Sequence, residues 1–240
     1  MKKFRVLSFL SVCIVAGAFA PVTQAAVIDL KFEGVNATYP SGFAFVNGFY
    51  NGGTSSDSTT GTNFGVGFSS NALAICLNTI GTSCSNTSRG GLGDPSSQKG
   101  ALFFLSGNQT FMDVAAGFTT GFSFNYTAIG QGGSVSVFDG LGGTGTLLAT
   151  LVLGLTSSTC PPAFNAGFCP FVATGVGFLG TAKSVSFAGV ANQIVFDDVT
   201  FGSVKPGPSS VPLPGTLPLL MAGIGGIVGA RRFGKRRAKS

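Results

Sequence analysis

The sequence predicts an all-β protein whose body is an antiparallel β-sandwich, and three observations carry that expectation. Apolar residues recur at every second position, clusters of Gly, Asn, Ser and Thr interrupt them at short intervals, and neither a heptad nor a long 3.6-residue stripe occurs. A period of two sends alternate side chains to opposite faces of a strand, so each run offers one apolar face for a second sheet to cover. With 24 Phe and 38 Gly among 240 residues, Phe and Val fill the expected core and glycine punctuates it.

The elements follow in order. Residues 1–25 form an expected secretory signal peptide: Lys2, Lys3 and Arg5 precede an apolar run from Val6 to Ala20, with small residues at Thr23 and Ala25 before a cleavage site near Ala25 or Ala26. Cys13 follows the bulky Val12 inside that run, so it is read as lost with the peptide rather than lipidated. The body spans residues 26–204. Within it Phe118, Phe122, Phe124 and Tyr126 share one parity, and Val135 to Val137, Lys183 to Phe187 and Gln193 to Phe201 also alternate. Turn signals stand at Asn51-Gly52-Gly53-Thr54, Gly130 to Gly133 and Asp139-Gly140.

Residues 205–212, rich in Pro, Gly and Ser, read as a stiff solvated linker. Residues 213–240 hold an apolar transmembrane segment ending at Ala230 and then a basic stop of Arg231, Arg232, Lys235, Arg236 and Arg237. At ~1.5 Å per helical residue, the 18 residues from Leu213 to Ala230 reach about 27 Å, just short of a hydrocarbon core of ~30 Å. Cations after the segment would keep the tail cytoplasmic and the body across the inner membrane, which implies a transient anchor.

Charge excludes several functions. All eight acids lie between Asp29 and Asp198, while the net +6 charge comes from the two ends. A body whose only cations are Lys31, Arg89, Lys99 and Lys183 offers no basic face for nucleic acid. The absence of histidine removes Ser-His-Asp and Cys-His nucleophile systems, imidazole bases and the usual zinc sites. Gly140-Leu-Gly-Gly-Thr-Gly145 has the spacing of a dinucleotide fingerprint, but strand-like residues follow it where a helix is required, so it reads as a hairpin loop. No catalytic residues are assigned, and the protein is expected not to be an enzyme.

Cys76, Cys84, Cys160 and Cys169 remain after export, an even number in an oxidising compartment, where disulfides are expected. Three connectivities are possible, and the short separations favour Cys76 with Cys84 and Cys160 with Cys169.

The tail from Val211 to about Arg237 resembles the PEP-CTERM sorting signal of Gram-negative bacteria that make extracellular polysaccharide. It carries Val211-Pro212-Leu213-Pro214 where the family has Pro-Glu-Pro, then the Gly-rich apolar segment and the arginine cluster. The resemblance implies two processing partners, signal peptidase and an exosortase, with removal of the tail and delivery to the cell envelope or the extracellular matrix of a biofilm. The body is similar to the N-terminal regions of many PEP-CTERM proteins in Phe49 to Gly53, Asn63 to Val66, Phe122 to Tyr126 and Val195 to Phe201. Its closing Phe-Asp-Asp-Val-Thr-Phe is also similar to the last strand of jelly-roll carbohydrate-binding modules, so a jelly-roll-like sandwich is expected.

On a regular strand Asp197 would share the face of Val195, Val199 and Phe201, and Asp198 that of Ile194 and Phe196. An inward carboxylate needs hydrogen bonds or a cation. If first and last strands pair, as jelly rolls often arrange, Glu33 could join one of these aspartates to hold a structural Ca²⁺, the one cofactor considered. The alternative is an aspartate satisfied by backbone amides at a strand end. The function expected is structural or adhesive, with binding of the cell's own exopolysaccharide as the alternative. Against the latter stands the lack of Trp, with only Tyr39, Tyr50 and Tyr126 to stack on sugars.

Overall fold

The computed structural model describes residues 27–37, 42–76, 100–156 and 171–207. The expected signal peptide, the expected sorting segment with Val211 to Pro214 and the basic residues after it, and Cys84, Cys160 and Cys169 lie outside the described residues. The described chain is all-β, built as two antiparallel sheets, and its only helical element is a 3₁₀ turn at Leu141–Gly143. Among the described residues no helix is long and apolar enough to cross a membrane.

Twelve strands are described: β1 (Ile28–Leu30), β2 (Phe43–Phe45), β3 (Val66–Phe68), β4 (Leu73–Cys76), β5 (Gly100–Phe103), β6 (Gln109–Phe118), β7 (Gly121–Ala128), β8 (Gly133–Phe138), β9 (Leu147–Leu153), β10 (Val172–Gly177), β11 (Ala182–Gly189) and β12 (Ile194–Phe201). One sheet has the order β10-β7-β12-β5-β4-β2, with β1 also pairing β12, and the other has the order β3-β6-β11-β8-β9. β5 meets β12 at Phe196, and β1 meets it from Val199 to Phe201, so both share one side of that strand.

The expected period of two holds along most strands and decides which side chains meet between the sheets. Phe122 and Phe124 of β7 and Phe196 of β12 face Phe187 of β11, which sits 5.9, 6.3 and 4.8 Å from them between ring centroids. Edge-on aromatic pairs of this kind add about 0.5–1.5 kcal/mol each beyond the apolar area they bury. Val135 and Val137 of β8 and Met112 and Val114 of β6 complete the same core. A smaller apolar cluster of Leu73, Ile75, Ala101, Phe103 and Val195 covers the other face of the seven-stranded sheet.

One expectation gains detail. Phe118, Phe122, Phe124 and Tyr126 do share the core, but the run is two strands: Thr119 and Thr120 turn the chain from β6 in one sheet to β7 in the other. Thr120 takes φ 79° to make that turn, a left-handed conformation uncommon for a β-branched residue.

The expected phase of the last strand is wrong. Ile194, Phe196, Val199 and Phe201 all join the main core, while Val195 faces the outer cluster. The pairing with β7 runs from Asp197 opposite Asn125 to Thr200 opposite Ser123, so three residues span the distance of two. This is a β-bulge, with Asp198 at φ 45°. The inserted residue flips the side-chain phase, which no fixed period anticipates.

The Gly140 to Gly145 segment is the hairpin loop that its sequence suggested, joining β8 to β9. It folds onto the outer face of its own sheet. The Gly142 amide donates to Asp113 Oδ1 at 2.7 Å, and the Gly143 amide donates to Ser184 Oγ at 3.0 Å. Gly143, at φ 74°, lies so close to the Phe111 ring that no side chain would fit there.

Candidate functional site

β1 alternates strictly: Ile28 and Leu30 pack into the core, and Asp29 and Lys31 turn the other way. The chain then enters a turn at Phe32, which is fully buried and left-handed at φ 56°. Its amide donates to the Tyr50 hydroxyl oxygen at 2.8 Å, so a core tyrosine fixes the turn. Tyr50 in turn holds the following loop through its carbonyl, which accepts the amides of Phe64 and Val66 at 2.9 and 3.2 Å.

These contacts open a cleft of about 500 Å³ lined by Asp29, Lys31, Glu33, Thr60, Thr62 and Phe64, with Phe49 and Tyr50 at its base. Gly61 completes the wall, where the Phe49 ring leaves no room for a Cβ. Asp29 Oδ2 lies 3.8 Å from Lys31 Nζ, and Asp29 Oδ1 lies 3.2 Å from the Thr200 hydroxyl. Glu33 Oε1 accepts the Gly100 amide at 3.0 Å, joining the rim of the cleft to the start of β5. Two carboxylates, one ammonium, two hydroxyls and a half-buried phenylalanine ring thus converge on one concavity. That set can accept and donate hydrogen bonds to a polyhydroxylated ligand while offering an apolar wall.

The expected metal residues are brought partly together. β1 does pair with β12, Leu30 lying opposite Val199, so the first and last strands adjoin as the calcium proposal required. Asp197 and Asp198 are buried, at 1% and 0% exposure. Their carboxylates take hydrogen bonds at the bulge itself: the Asp198 amide donates to Asp197 Oδ1 at 2.7 Å, and Asn125 Nδ2 donates to Asp198 Oδ2 at 3.0 Å. Among the described residues no three His, Cys, Asp or Glu side chains gather as a metal site would need.

Of the expected stacking residues, Tyr50 and Tyr126 are buried, at 5% and 8% exposure, and Tyr39 lies outside the described residues. Cys76 ends β4 opposite Gly100. The sequence reading passed over Asp29, Lys31, Thr60, Thr62 and Phe64. Asp29-Leu-Lys31-Phe-Glu33 carries a signal for part of this set, charges at every second position around buried Leu30 and Phe32. Nothing local ties it to Thr60, Thr62 and Phe64, which arrive by folding.

No protein-family model matches the chain, and no curated protein matches it in sequence.

Proposed function

We propose that this is an exported, non-enzymatic protein, delivered by a signal peptide, held briefly at the inner membrane and sorted by an exosortase-type enzyme to the envelope or polysaccharide matrix. Its body would serve there in structure or adhesion. The observation that best supports display is the pairing of β1 with β12, which sets Ile28 directly opposite Phe201. The chain therefore enters and leaves the described body at one end, where both proposed targeting segments would attach. The opposite end, with the turns at 129–132 and 190–193, would face away from the membrane. A jelly-roll winding fits the strand order, since the chain alternates between the sheets from β5 to β8 and again from β9 to β12.

The test is to replace Arg231, Arg232, Lys235, Arg236 and Arg237 by neutral residues and follow the product by immunoblot of cell fractions. Slowed or failed processing is expected, because the stop that orients the segment is gone. Unchanged size and location would overturn the sorting proposal.

The cleft favours a second reading, a carbohydrate-binding body acting on the cell's own exopolysaccharide. The buried tyrosines cannot provide a stacking platform, so the cleft's polar rim and Phe64 would carry recognition. A pull-down of the protein with matrix polysaccharide, wild type against Phe64→Ala and Thr62→Ala, distinguishes the readings: retention that both variants lose favours sugar binding. A structural Ca²⁺ shared by Glu33 and Asp198 is a further reading, supported by the adjacency of β1 and β12 and competing with the hydrogen bonds at the bulge.

A further inference from the structure

β9 is the outer strand of the five-stranded sheet. It pairs with β8, and among the described residues no strand pairs with its other side. Its sequence, Leu-Leu-Ala-Thr-Leu-Val-Leu, carries neither charge nor proline. Val152 and Leu147 on it are open to solvent, at 87% and 54% exposure, while Leu148, Ala149 and Leu151 are half-buried against the core. The adjoining edge of the other sheet is β10, which pairs with β7 and is likewise uncharged. No charged residue occurs anywhere from Gly140 to Ala182, the stretch that contains both edges.

Exposed edges present unpaired backbone groups, and proteins that stay monomeric commonly guard them with lysines, prolines, bulges or inward charges. β9 has one such device, a register shift near Phe138 and Leu147 at its beginning. From Ala149 to Leu153 the ladder to β8 is regular, each residue opposite its partner.

We infer that β9 is a self-pairing edge, through which two copies of this chain join antiparallel into one continuous ten-stranded sheet. The absence of charge suits a second copy as occupant. A two-fold axis sets equivalent positions of the two copies close together, so a charged edge would meet its own like charges, whereas this uncharged edge meets none.

An axis at Thr150 gives a consistent register. Thr150 would face Thr150 of the second copy, a favourable cross-strand pair, and Ala149 would face Leu151 on the core side. On the outer face this extends an existing hydroxyl row, because Ser136 Oγ lies 3.1 Å from Thr150 Oγ1 and Ser186 stands opposite Ser136.

The experiment is sedimentation equilibrium of the full chain in a nonionic detergent, comparing wild type with Thr150→Lys, Val152→Lys and, as a control outside β9, the exposed Leu179→Lys. Wild type and the control are expected to dimerise alike, and each β9 variant to dissociate with a Kd raised at least about tenfold. Thr150→Cys is expected to give a reducible dimer on a non-reducing gel that wild type lacks. Circular dichroism melts establish that the variants fold, and Val152→Lys stands in if Thr150→Lys does not. A monomeric wild type, or dimers that survive both lysines, would overturn the assignment, the latter placing association elsewhere.

Discussion

The Thr200 hydroxyl lies 3.2 Å from Asp29 Oδ1 and 2.8 Å from the Asp198 carbonyl, so one side chain links the first strand, the bulge and the last strand. The same oxygen accepts the Gly207 amide at 3.0 Å, holding the chain as it leaves the body. Thr200 is fully buried. Thr200→Val keeps the shape and removes both donor and acceptor, which should cost about 1–3 kcal/mol in a denaturant titration. Unchanged stability would mean that these contacts are replaceable by solvent.

Asp139 closes the β8–β9 loop. The Thr146 amide donates to its Oδ1 at 2.6 Å, and this bond, with the Thr146 hydroxyl and more distantly Lys183, holds its carboxyl below the ordinary aspartate value. A depressed folded-state pKa stabilises the loop above the unfolded value of about 3.9, and that contribution is lost as pH falls through the folded value. The Thr146 amide should therefore lose hydrogen-exchange protection in that acid range while β11 amides keep theirs. Asp139→Asn should flatten the pH dependence.

At the bulge, Asp197 and Asp198 already hold hydrogen bonds from a backbone amide and from Asn125. Thermal melts in calcium and in chelator test the proposed Ca²⁺ against these hydrogen bonds, and melts that superimpose would remove it. A calcium-dependent rise of the melting temperature that Glu33→Gln and Asp198→Asn abolish would establish the ion instead. Saturation at a hundred times Kd would stabilise by ~2.7 kcal/mol, well within reach of the measurement.

The cysteines make a prediction independent of the described structure. Non-reducing peptide mapping of exported protein should give Cys76 with Cys84 and Cys160 with Cys169. Loops this short contribute roughly 2–3 kcal/mol each, so reduction should lower the melting temperature and leave the Phe core folded. Four free thiols would refute the redox argument.

What could be read in advance follows the range of the interactions involved. Val135 to Val137 and Lys183 to Phe187 declared themselves as strands because alternation is local, and Gly140 to Gly145 declared itself a loop because glycines cluster there. The Asp197–Asp198 bulge stayed hidden because an inserted residue looks like any other in sequence. Phe118 and Phe122 read as one strand because their parity continues through the Thr119-Thr120 turn. The cleft was only half visible: charges alternate along Asp29, Lys31 and Glu33, but Thr60, Thr62 and Phe64 reach them through the Tyr50 contacts, which depend on the folded chain.

The placement of β12 has a mechanical consequence. This last strand has β7 along one side and β1 and β5 along the other, so it lies inside its sheet and not at the margin. A pull applied through the C-terminal segment enters the body along an interior strand. Withdrawing that strand means shearing hydrogen bonds on both flanks at once and dragging Phe196 and Phe201 out of the aromatic core. A strand held on both flanks resists a pull along its axis far better than a marginal strand, which peels away one bond at a time.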